Sequence, residues 1–238
     1  NPSERTPYVT YALILINVAI FLVELPYMSD NVRLAAFFDD WAMVPVEVTS
    51  GQDVHGVFTS MFLHAGVMHI GGNMLFLWIF GDNLEDQMGH VGFLLFYLAS
   101  GLLAAFTHVA ADPYSDIPTV GASGAIAGVV VAYLMLHPHI KLWVLVLMRI
   151  PLRIPAWIPI GLWIAFQFLM LFTQTEDQIS WPAHVGGILA GAVLVPILKR
   201  RNVKLFDRLP ARPLTPSLVV LPDVDVAPVE SPVRWGRQ

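Results

Sequence analysis

Six long apolar segments dominate this sequence, and they limit the chain to folds that can be built within a lipid bilayer. They cover residues 8–25, 67–80, 91–111, 122–136, 157–172 and 182–198. A helix needs about 20 apolar residues to cross a hydrocarbon core of roughly 30 Å. The second, fourth and sixth segments are short for this and contain His, Asn, Ser and Gly, whereas the other three are rich in Leu, Phe and Val. We therefore predict an all-α, polytopic membrane protein with six transmembrane helices around a polar interior.

The charged fraction argues against several other classes of protein. Only 13% of the residues are Asp, Glu, Lys or Arg, about half of the roughly 25% found in soluble domains. So few charges disfavour a water-soluble enzyme and a disordered chain, and the net charge of −5 disfavours a nucleic-acid binder. Because the chain has no Cys, a disulfide, a thiolate metal site and a cysteine nucleophile are excluded.

The basic residues fall on one side of the predicted bundle. If both termini are cytoplasmic, every Lys and Arg except Arg33 lies on the cytoplasmic side, and the outer loops carry acids instead. This distribution follows the positive-inside rule and favours an even number of spans. We therefore predict a multi-pass protein of the cell membrane (inner or plasma membrane) with cytoplasmic N- and C-termini.

The segments between the spans complete the predicted domain organisation. Residues 1–7 form a cytoplasmic N-terminus, residues 8–200 the six-helix domain, and residues 201–238 a cytoplasmic, disordered, proline-rich tail. Residues 26–66 form a long outer loop whose aromatic and Met side chains predict packing on or in the outer leaflet. Residues 140–156, with two prolines among Leu, Val and Ile, predict an interfacial loop.

Polar side chains within a predicted span mark functional candidates, because they are costly there unless they pair or line water. His69 and Asn73 lie four residues apart, and therefore one turn apart on one helical face. Both can donate hydrogen bonds toward one point, or they can join two helices. His64 precedes His69 by five residues, a spacing that disfavours a zinc site and favours a structural hydrogen bond at the start of the helix.

The fourth segment begins with the sequence Gly121-Ala-Ser123-Gly124. A serine at the start of a helix lies beside backbone N–H groups that have no partner within the helix. Its hydroxyl can attack a carbonyl while these N–H groups stabilise the oxyanion. The alternative is that Ser123 caps the helix and that Gly124 and Gly128 form a packing face.

His184 lies near the start of the sixth segment, and Gly187 and Gly191 share its helical face. Two glycines allow another helix to approach closely, and the glycine face of the fourth segment is the natural partner. This pairing would bring Ser123 and His184 to the same depth in the bundle.

Together these residues suit acyl transfer, which needs a nucleophile, a base in contact with it and donors for the oxyanion. Ser123 can supply the nucleophile and His184 the base. The Ser123 N–H and the side chains of His69 and Asn73 can supply the donors. The acids nearest in sequence to His184 are Glu176 and Asp177 in the preceding loop, so a Ser–His dyad is favoured over a triad.

The chain resembles the rhomboid intramembrane serine proteases of the six-helix prokaryotic type over about residues 8–200. The resemblance rests on four patterns that are weak singly and specific in this order: His64-x4-His69-x3-Asn73, Gly81-x3-Glu85-x3-Gly89, Gly121-x-Ser123-Gly124 and Ala183-His184-x2-Gly187-x3-Gly191. From the residues alone, the run from Gly81 to Gly89 predicts a helix end held by structural hydrogen bonds.

The resemblance implies a role for each of these residues. Ser123 is then the nucleophile and His184 the general base and acid, while His69, Asn73 and the Ser123 N–H form the oxyanion hole. Supporting roles fall to His64, Gly121, Gly124, Gly187 and Gly191. The implied substrates are single-span proteins of the lipid bilayer, cleaved at or near the outer membrane face. Metal, cofactor and nucleic acid are not implied.

The resemblance has one departure, in the outer loop. Many rhomboids carry a Trp-Arg pair there, ahead of the first motif histidine, and this chain has His55-Gly56 instead. The departure leaves the catalytic set intact and concerns how the loop is anchored in lipid.

Two other interpretations of the polar residues are open. One is a catalytically silent rhomboid-like protein that binds membrane proteins, but such proteins typically lose the serine or the histidine. The other is a small transporter that uses His69, Asn73 and His184 as a polar path. Against it stand the lack of an evident inverted repeat and the clustering of the polar groups at one depth.

Overall fold

The computed structural model describes residues 5–52, 54–146, 149–173 and 179–206. Over these residues the elements are, in chain order, α1 (Tyr8–Glu24), α2 (Asn31–Trp41), α3 (Pro45–Ser50), α4 (Gly56–Thr59), α5 (Val67–Met88), α6 (His90–Ala111), α7 (Ser123–Leu136), β1 (Lys141–Val146), β2 (Ile150–Pro155), α8 (Trp157–Thr173) and α9 (Trp181–Leu198). Short 3-10 turns follow α1 and α4. Most of the predicted tail, residues 207–238, lies outside the described residues, as do Glu176 and Asp177.

Each of the six predicted apolar segments is a helix, so the mainly helical architecture is confirmed. Three helical stretches in the described part are long and apolar enough to cross a membrane: Tyr8–Tyr27, His90–Ala111 and Trp181–Leu198. Gly56–Phe62 and Val67–Met88 meet this test together, with a bend of 86° between them. Because α7 and α8 have only 14 and 17 residues, the number of six spans stays a prediction.

The predicted outer loop contains three short helices that the sequence did not predict, and its position at the outer leaflet stays a prediction. Asp30 caps α2 by accepting hydrogen bonds from the N–H groups of Val32 at 3.0 Å and Arg33 at 3.2 Å. Pro45 opens α3, and Gly51 ends it with a φ of +75°. These local signals form short helices, although the apolar content of the segment indicated only a lipid-facing loop.

The residues of the predicted interfacial loop form an antiparallel β-hairpin that the sequence did not predict, and their position at the membrane interface stays a prediction. In β1 and β2, Lys141 pairs with Pro155 and Leu145 with Pro151. A proline cannot donate a hydrogen bond to a neighbouring strand, but a two-stranded hairpin leaves one edge of each strand free. The prolines that indicated a loop are therefore compatible with the hairpin.

The centre of the molecule is α7, which packs against α5, α6, α8 and α9. Every residue of α7 is buried except Ser123, Leu134 and Met135. A helix enclosed in this way can carry Gly and Ala on several faces, because its neighbours rather than lipid cover it. The serine at its first position is thus held by a rigid core element.

The predicted close contact between α7 and α9 is present and is made by glycines. A Cβ at Gly187 would collide with the carbonyl oxygen of Gly124, and a Cβ at Gly191 would lie 2.6 Å from the Cα of Gly128. On another side, a Cβ at Gly124 would lie 2.6 Å from the Cβ of Ala104 on α6. Only glycine therefore fits at these contacts, where three helices meet.

Glu85, near the end of α5, joins this helix to the start of α1. Its carboxylate accepts hydrogen bonds from the N–H of Val9 at 2.9 Å and from the N–H and hydroxyl of Thr10 at 2.8 Å, and it contacts His90. The predicted structural role of this run is confirmed. These bonds satisfy free N–H groups at the start of α1 and explain why α5 continues as a helix to Met88, beyond the predicted segment.

Candidate active site

Ser123 is the first residue of α7 and follows a sharp backbone turn. Gly121 has a φ of +131°, and its N–H donates to the Ser60 carbonyl at 2.8 Å. The first hydrogen bond within the helix runs from the Ile126 N–H to the Ala122 carbonyl at 3.0 Å. The N–H groups before Ile126, including that of Ser123, therefore have no partner within the helix and can bind an anionic oxygen.

The structure brings His184 into contact with Ser123. His184 lies in the first turn of α9, which is capped by Ser180: its hydroxyl accepts from the Ala183 N–H at 3.3 Å. The Nε2 atom of His184 lies 2.9 Å from Oγ of Ser123. This is the hydrogen-bond contact that a general base needs with its nucleophile.

His69 and Asn73 line the same cavity as Ser123 and His184, one turn apart on α5. The cavity has a volume of about 260 Å³, and its remaining wall is apolar apart from Gly72: Met68, Phe76, Ile126, Ala127 and Trp163. The structure thus brings the four predicted chemical groups together. Four polar side chains thus face one small volume with mostly apolar walls.

His69 and Asn73 each leave one hydrogen-bond donor available in this cavity. Nδ1 of His69 accepts from the Ala65 N–H at 3.3 Å, so the proton of the neutral ring is on Nε2. That Nε2 lies close to Gly121, where a Cβ would approach it to 2.8 Å. The buried amide nitrogen of Asn73 has no hydrogen-bond partner among the described residues. Two side-chain donors are therefore free to bind an oxyanion.

One residue of the site, Gln167 on α8, was not predicted from the sequence. Its Oε1 lies 2.8 Å from Nδ1 of His184, on the ring edge opposite Ser123. The partner of Nδ1 is therefore an amide, although the sequence indicated a dyad without a third member. A signal was present, because Gln167 is the only hydroxyl, amide or charged residue in the segment 157–172.

Comparison with known proteins shows the family to which the chain belongs. Residues 51–201 match the Rhomboid domain family, which is more than half of the chain and includes all four patterns. The chain belongs to the rhomboid family.

Several curated relatives are similar to this rhomboid over most of its length. The mitochondrial rhomboid protein 1 of Saccharomyces cerevisiae is 29% identical over 194 residues, which cover 77% of this chain and 51% of the yeast protein. The rhomboid protease GluP of Bacillus subtilis is 30% identical over 186 residues, covering 78% of this chain and 34% of GluP. RHOMBOID-like protein 6 of Arabidopsis thaliana, also mitochondrial, is 30% identical over 176 residues, covering 73% and 51%. This rhomboid thus spans about half the length of the yeast and Arabidopsis relatives and about a third of GluP.

His64 is a buried neighbour of the site in this rhomboid. Its ring packs edge-on against that of His69, with ring centroids 5.1 Å apart. The backbone N–H of His64 donates to the buried carboxylate of Glu24 at 3.2 Å. The ring faces the Phe62 carbonyl, but neither nitrogen reaches hydrogen-bond geometry in the described part of the chain. His64 thus makes its hydrogen bond through the backbone, and the ring contact supports His69.

His108, to which the sequence analysis gives no role, joins the two loops that carry the site. Its Nδ1 lies 2.7 Å from the Ser180 hydroxyl at the start of α9, and its Nε2 lies 3.0 Å from the Thr119 hydroxyl. Thr119 precedes Gly121 by two residues and pairs through its backbone with Met43. His108 therefore links the helix that carries His184 to the turn that carries Ser123.

His55 anchors the outer helices at the position where many rhomboids have the Trp of a Trp-Arg pair. Its Nε2 lies 2.9 Å from the Asp40 carbonyl, and its ring meets that of Trp41 edge-on at 5.7 Å. The Thr59 hydroxyl donates to the Trp41 carbonyl at 2.6 Å. These contacts tie α4 to the end of α2 within the protein.

Proposed function

We propose that this rhomboid is an intramembrane serine endopeptidase that uses Ser123 and His184. The observation that carries the proposal is the 2.9 Å contact between Oγ of Ser123 and Nε2 of His184. The presence of free donors in the same cavity supports it, because acyl transfer needs both features. A binder without activity would not need this contact.

The reaction begins when Oγ of Ser123 attacks the carbonyl carbon of the scissile peptide bond. Nε2 of His184 accepts the hydroxyl proton, and the carbonyl oxygen becomes an oxyanion. That oxyanion is bound by the Ser123 N–H, Nε2–H of His69 and the Asn73 amide. His184 then gives its proton to the leaving amine, which leaves an acyl ester on Ser123.

Water completes the cycle by hydrolysing the ester. His184 accepts a proton from the water as its oxygen attacks the acyl carbon, and returns that proton to Oγ of Ser123 as the carboxylic acid departs. The same donors bind the second oxyanion. The proposed substrates are single-span membrane proteins, cut near the outer face at small or helix-breaking residues. The proposed location is the cell membrane, with both termini cytoplasmic.

Labelling with a fluorophosphonate in detergent tests the proposal. We expect Ser123 to be labelled, and Ser123→Ala to abolish both labelling and cleavage of a single-span substrate, because the nucleophile is lost. His184→Ala should nearly abolish both. Ser50→Ala, at an exposed serine of α3, is the matched control and should change neither. Continued cleavage by Ser123→Ala would contradict the mechanism.

A further inference from the structure

Gln167 is the one residue with a hydroxyl, amide or charged side chain among residues 157–172 of α8, which otherwise carry apolar side chains. Only Ile160 and Gln167 of α8 are buried, and Gln167 is 2% exposed. Large residues on the other faces of the helix, such as Leu162 and Leu169, are exposed. A buried amide in an apolar setting is costly unless it is hydrogen-bonded. The two polar atoms of Gln167 must therefore be used, and their partners indicate what the residue does.

The first partner fixes the orientation of the amide. Nε2 of Gln167 lies 3.3 Å from the backbone carbonyl of Trp163, one turn earlier on α8. A carbonyl oxygen can only accept, so the amide group that faces it is the NH₂. The amide oxygen is thereby directed at the His184 ring, 2.8 Å from Nδ1.

The orientation of the amide in turn fixes the proton on His184. An amide oxygen only accepts, so Nδ1 of His184 is the donor in this contact. A neutral imidazole with its proton on Nδ1 has its lone pair on Nε2. That lone pair faces Oγ of Ser123 at 2.9 Å. The chain of contacts from Trp163 to Ser123 thus has one consistent set of donors and acceptors.

We propose that Gln167 is a positioning residue, which holds the His184 ring in the orientation and tautomer that make Nε2 a base for Ser123. The inference rests on the proposed function and extends it from a dyad to a chain of three side chains. When His184 takes the serine proton, its Nδ1–H becomes a stronger donor, and the bond to the neutral amide oxygen strengthens. The amide assists this step without bringing a second charge into the site.

A purely structural role for Gln167 predicts a different order of activity among the variants at this position. If the amide only fills space between α8 and α9, Met of similar length should serve as well, and Glu should be worst because it buries a carboxylate. If the acceptor oxygen is what matters, Gln is best, Glu retains activity, and Met is worst. Whether Gln167→Glu or Gln167→Met is the more active variant therefore separates the two roles.

The first experiment compares Gln167→Met and Gln167→Glu by kcat and KM on a single-span substrate between pH 6 and pH 9. We expect Gln167→Met to lower kcat by about 10- to 100-fold, the range found when the hydrogen-bond partner of a metal-bound histidine is removed, with little change in KM. At high pH, kcat of Gln167→Glu should exceed that of Gln167→Met. The acidic limb of the kcat–pH profile of Gln167→Glu should move to higher pH. The reason is that a carboxylate favours the protonated His184 ring, which cannot act as a base. Wild-type kcat in Gln167→Met, or Glu below Met at every pH, would overturn the proposal.

Ile160→Val is the matched control on the same helix. Ile160 lies two turns from Gln167 and is buried without facing the cavity. Removing one methyl group should lower Tm slightly and leave kcat unchanged. A fall in kcat equal to that of Gln167→Met would show that packing of α8, and not the amide oxygen, sets the rate.

The second experiment reads the His184 ring directly and does not depend on activity. ¹⁵N spectra of histidine-labelled protein, with the His184 signals assigned by their loss in His184→Ala, should show a protonated Nδ1 and an unprotonated Nε2. Gln167→Met should shift the ring toward the other tautomer. A proton on Nε2 in the wild-type protein would overturn the proposal. Protein that neither cleaves nor reacts with fluorophosphonate would instead contradict the proposed function, while the ring spectrum would still decide the role of Gln167.

Discussion

At the scale of single residues, Asn73 has opposing effects, because its buried donor lowers stability but suits the proposed reaction. Its side chain is 7% exposed, and its amide nitrogen has no partner among the residues that the structure describes. A buried donor without a partner costs about 1–3 kcal/mol. The donor is nevertheless in the cavity that Ser123 and His184 line, where an oxyanion would satisfy it. The native state thus holds an unfavourable group that becomes favourable during the proposed reaction.

This conflict predicts opposite effects of Asn73→Ala on activity and on stability. Turnover should fall by about 10²-fold, since one oxyanion donor of three is lost, which is a smaller loss than in Ser123→Ala. Tm should stay constant or rise, because the unpaired buried donor is gone. Kinetics and thermal unfolding of the same preparation measure both effects. Unchanged turnover would show that Asn73 does not bind the oxyanion.

Sequence reasoning reached most of the candidate site at this scale because spacing on a helix is local information. The separation of His69 and Asn73 places both on one face whatever surrounds α5. The contact of Gln167 with His184 depends instead on where α8 docks against α9, which no local pattern encodes. His64 shows the same limit, since its contacts with Glu24 and His69 depend on how distant segments pack together.

At the scale of elements, glycines set the distance between α7 and α9. Gly187 and Gly191 face backbone atoms of α7, and backbone cannot move aside as a flexible side chain can. The two helices carry Ser123 and His184 at their outer ends, so the 2.9 Å contact at the site depends on the spacing one and two turns below it.

Gly187→Ala should therefore lower stability and activity together. The added methyl group must push α9 away from the Gly124 carbonyl, with an overpacking cost of about 1–3 kcal/mol or more. Thermal unfolding and cleavage assays in detergent should both report the loss. Gly161→Ala on α8 is the control, because a Cβ there meets nothing within 4 Å. It should be neutral or stabilise by about 0.5–1 kcal/mol, and a wild-type Tm for Gly187→Ala would contradict the packing argument.

The elements also show which parts of the fold were predictable. Hydropathy predicted all six long helices, because a long apolar stretch has few alternatives to a helix in lipid. It failed for α2, α3, α4 and the hairpin, where segments of 4 to 11 residues depend on caps, glycines and strand pairing. The capping pattern at Asp30 was readable from the sequence, whereas the pairing of β1 with β2 required knowing which segments meet.

At the scale of the whole molecule, the asymmetry of charge predicts orientation. Residues 199–206 carry four basic side chains beyond α9, and the Arg200 N–H donates to the Gln87 carbonyl near the end of α5 at 3.0 Å. The basic segment is thus fixed at the end of the bundle opposite Ser123. The positive-inside rule assigns this end to the cytoplasm.

The absence of Cys from the sequence allows a direct test of this orientation. Ser50→Cys places a thiol at an exposed site on the side of Ser123, and Asn202→Cys places one at an exposed site beyond α9. In intact bacterial cells, a membrane-impermeant maleimide should label Ser50→Cys and not Asn202→Cys, because the bilayer shields the cytoplasmic side. Both should react after detergent treatment, which controls for exposure. Labelling of Asn202→Cys in intact cells would reverse the assignment.

Because other helices enclose α7, the position of the site does not depend directly on the thickness of the membrane. At about 1.5 Å per residue, the 14 residues of α7 extend about 21 Å, clearly less than a hydrocarbon core of roughly 30 Å. A lone helix of this length would suffer hydrophobic mismatch, with thinning of the surrounding lipid. Since protein surrounds α7, mismatch acts on the peripheral helices and not on the helix that carries the serine. The position of Ser123 therefore depends on packing within the bundle rather than on the thickness of the surrounding lipid.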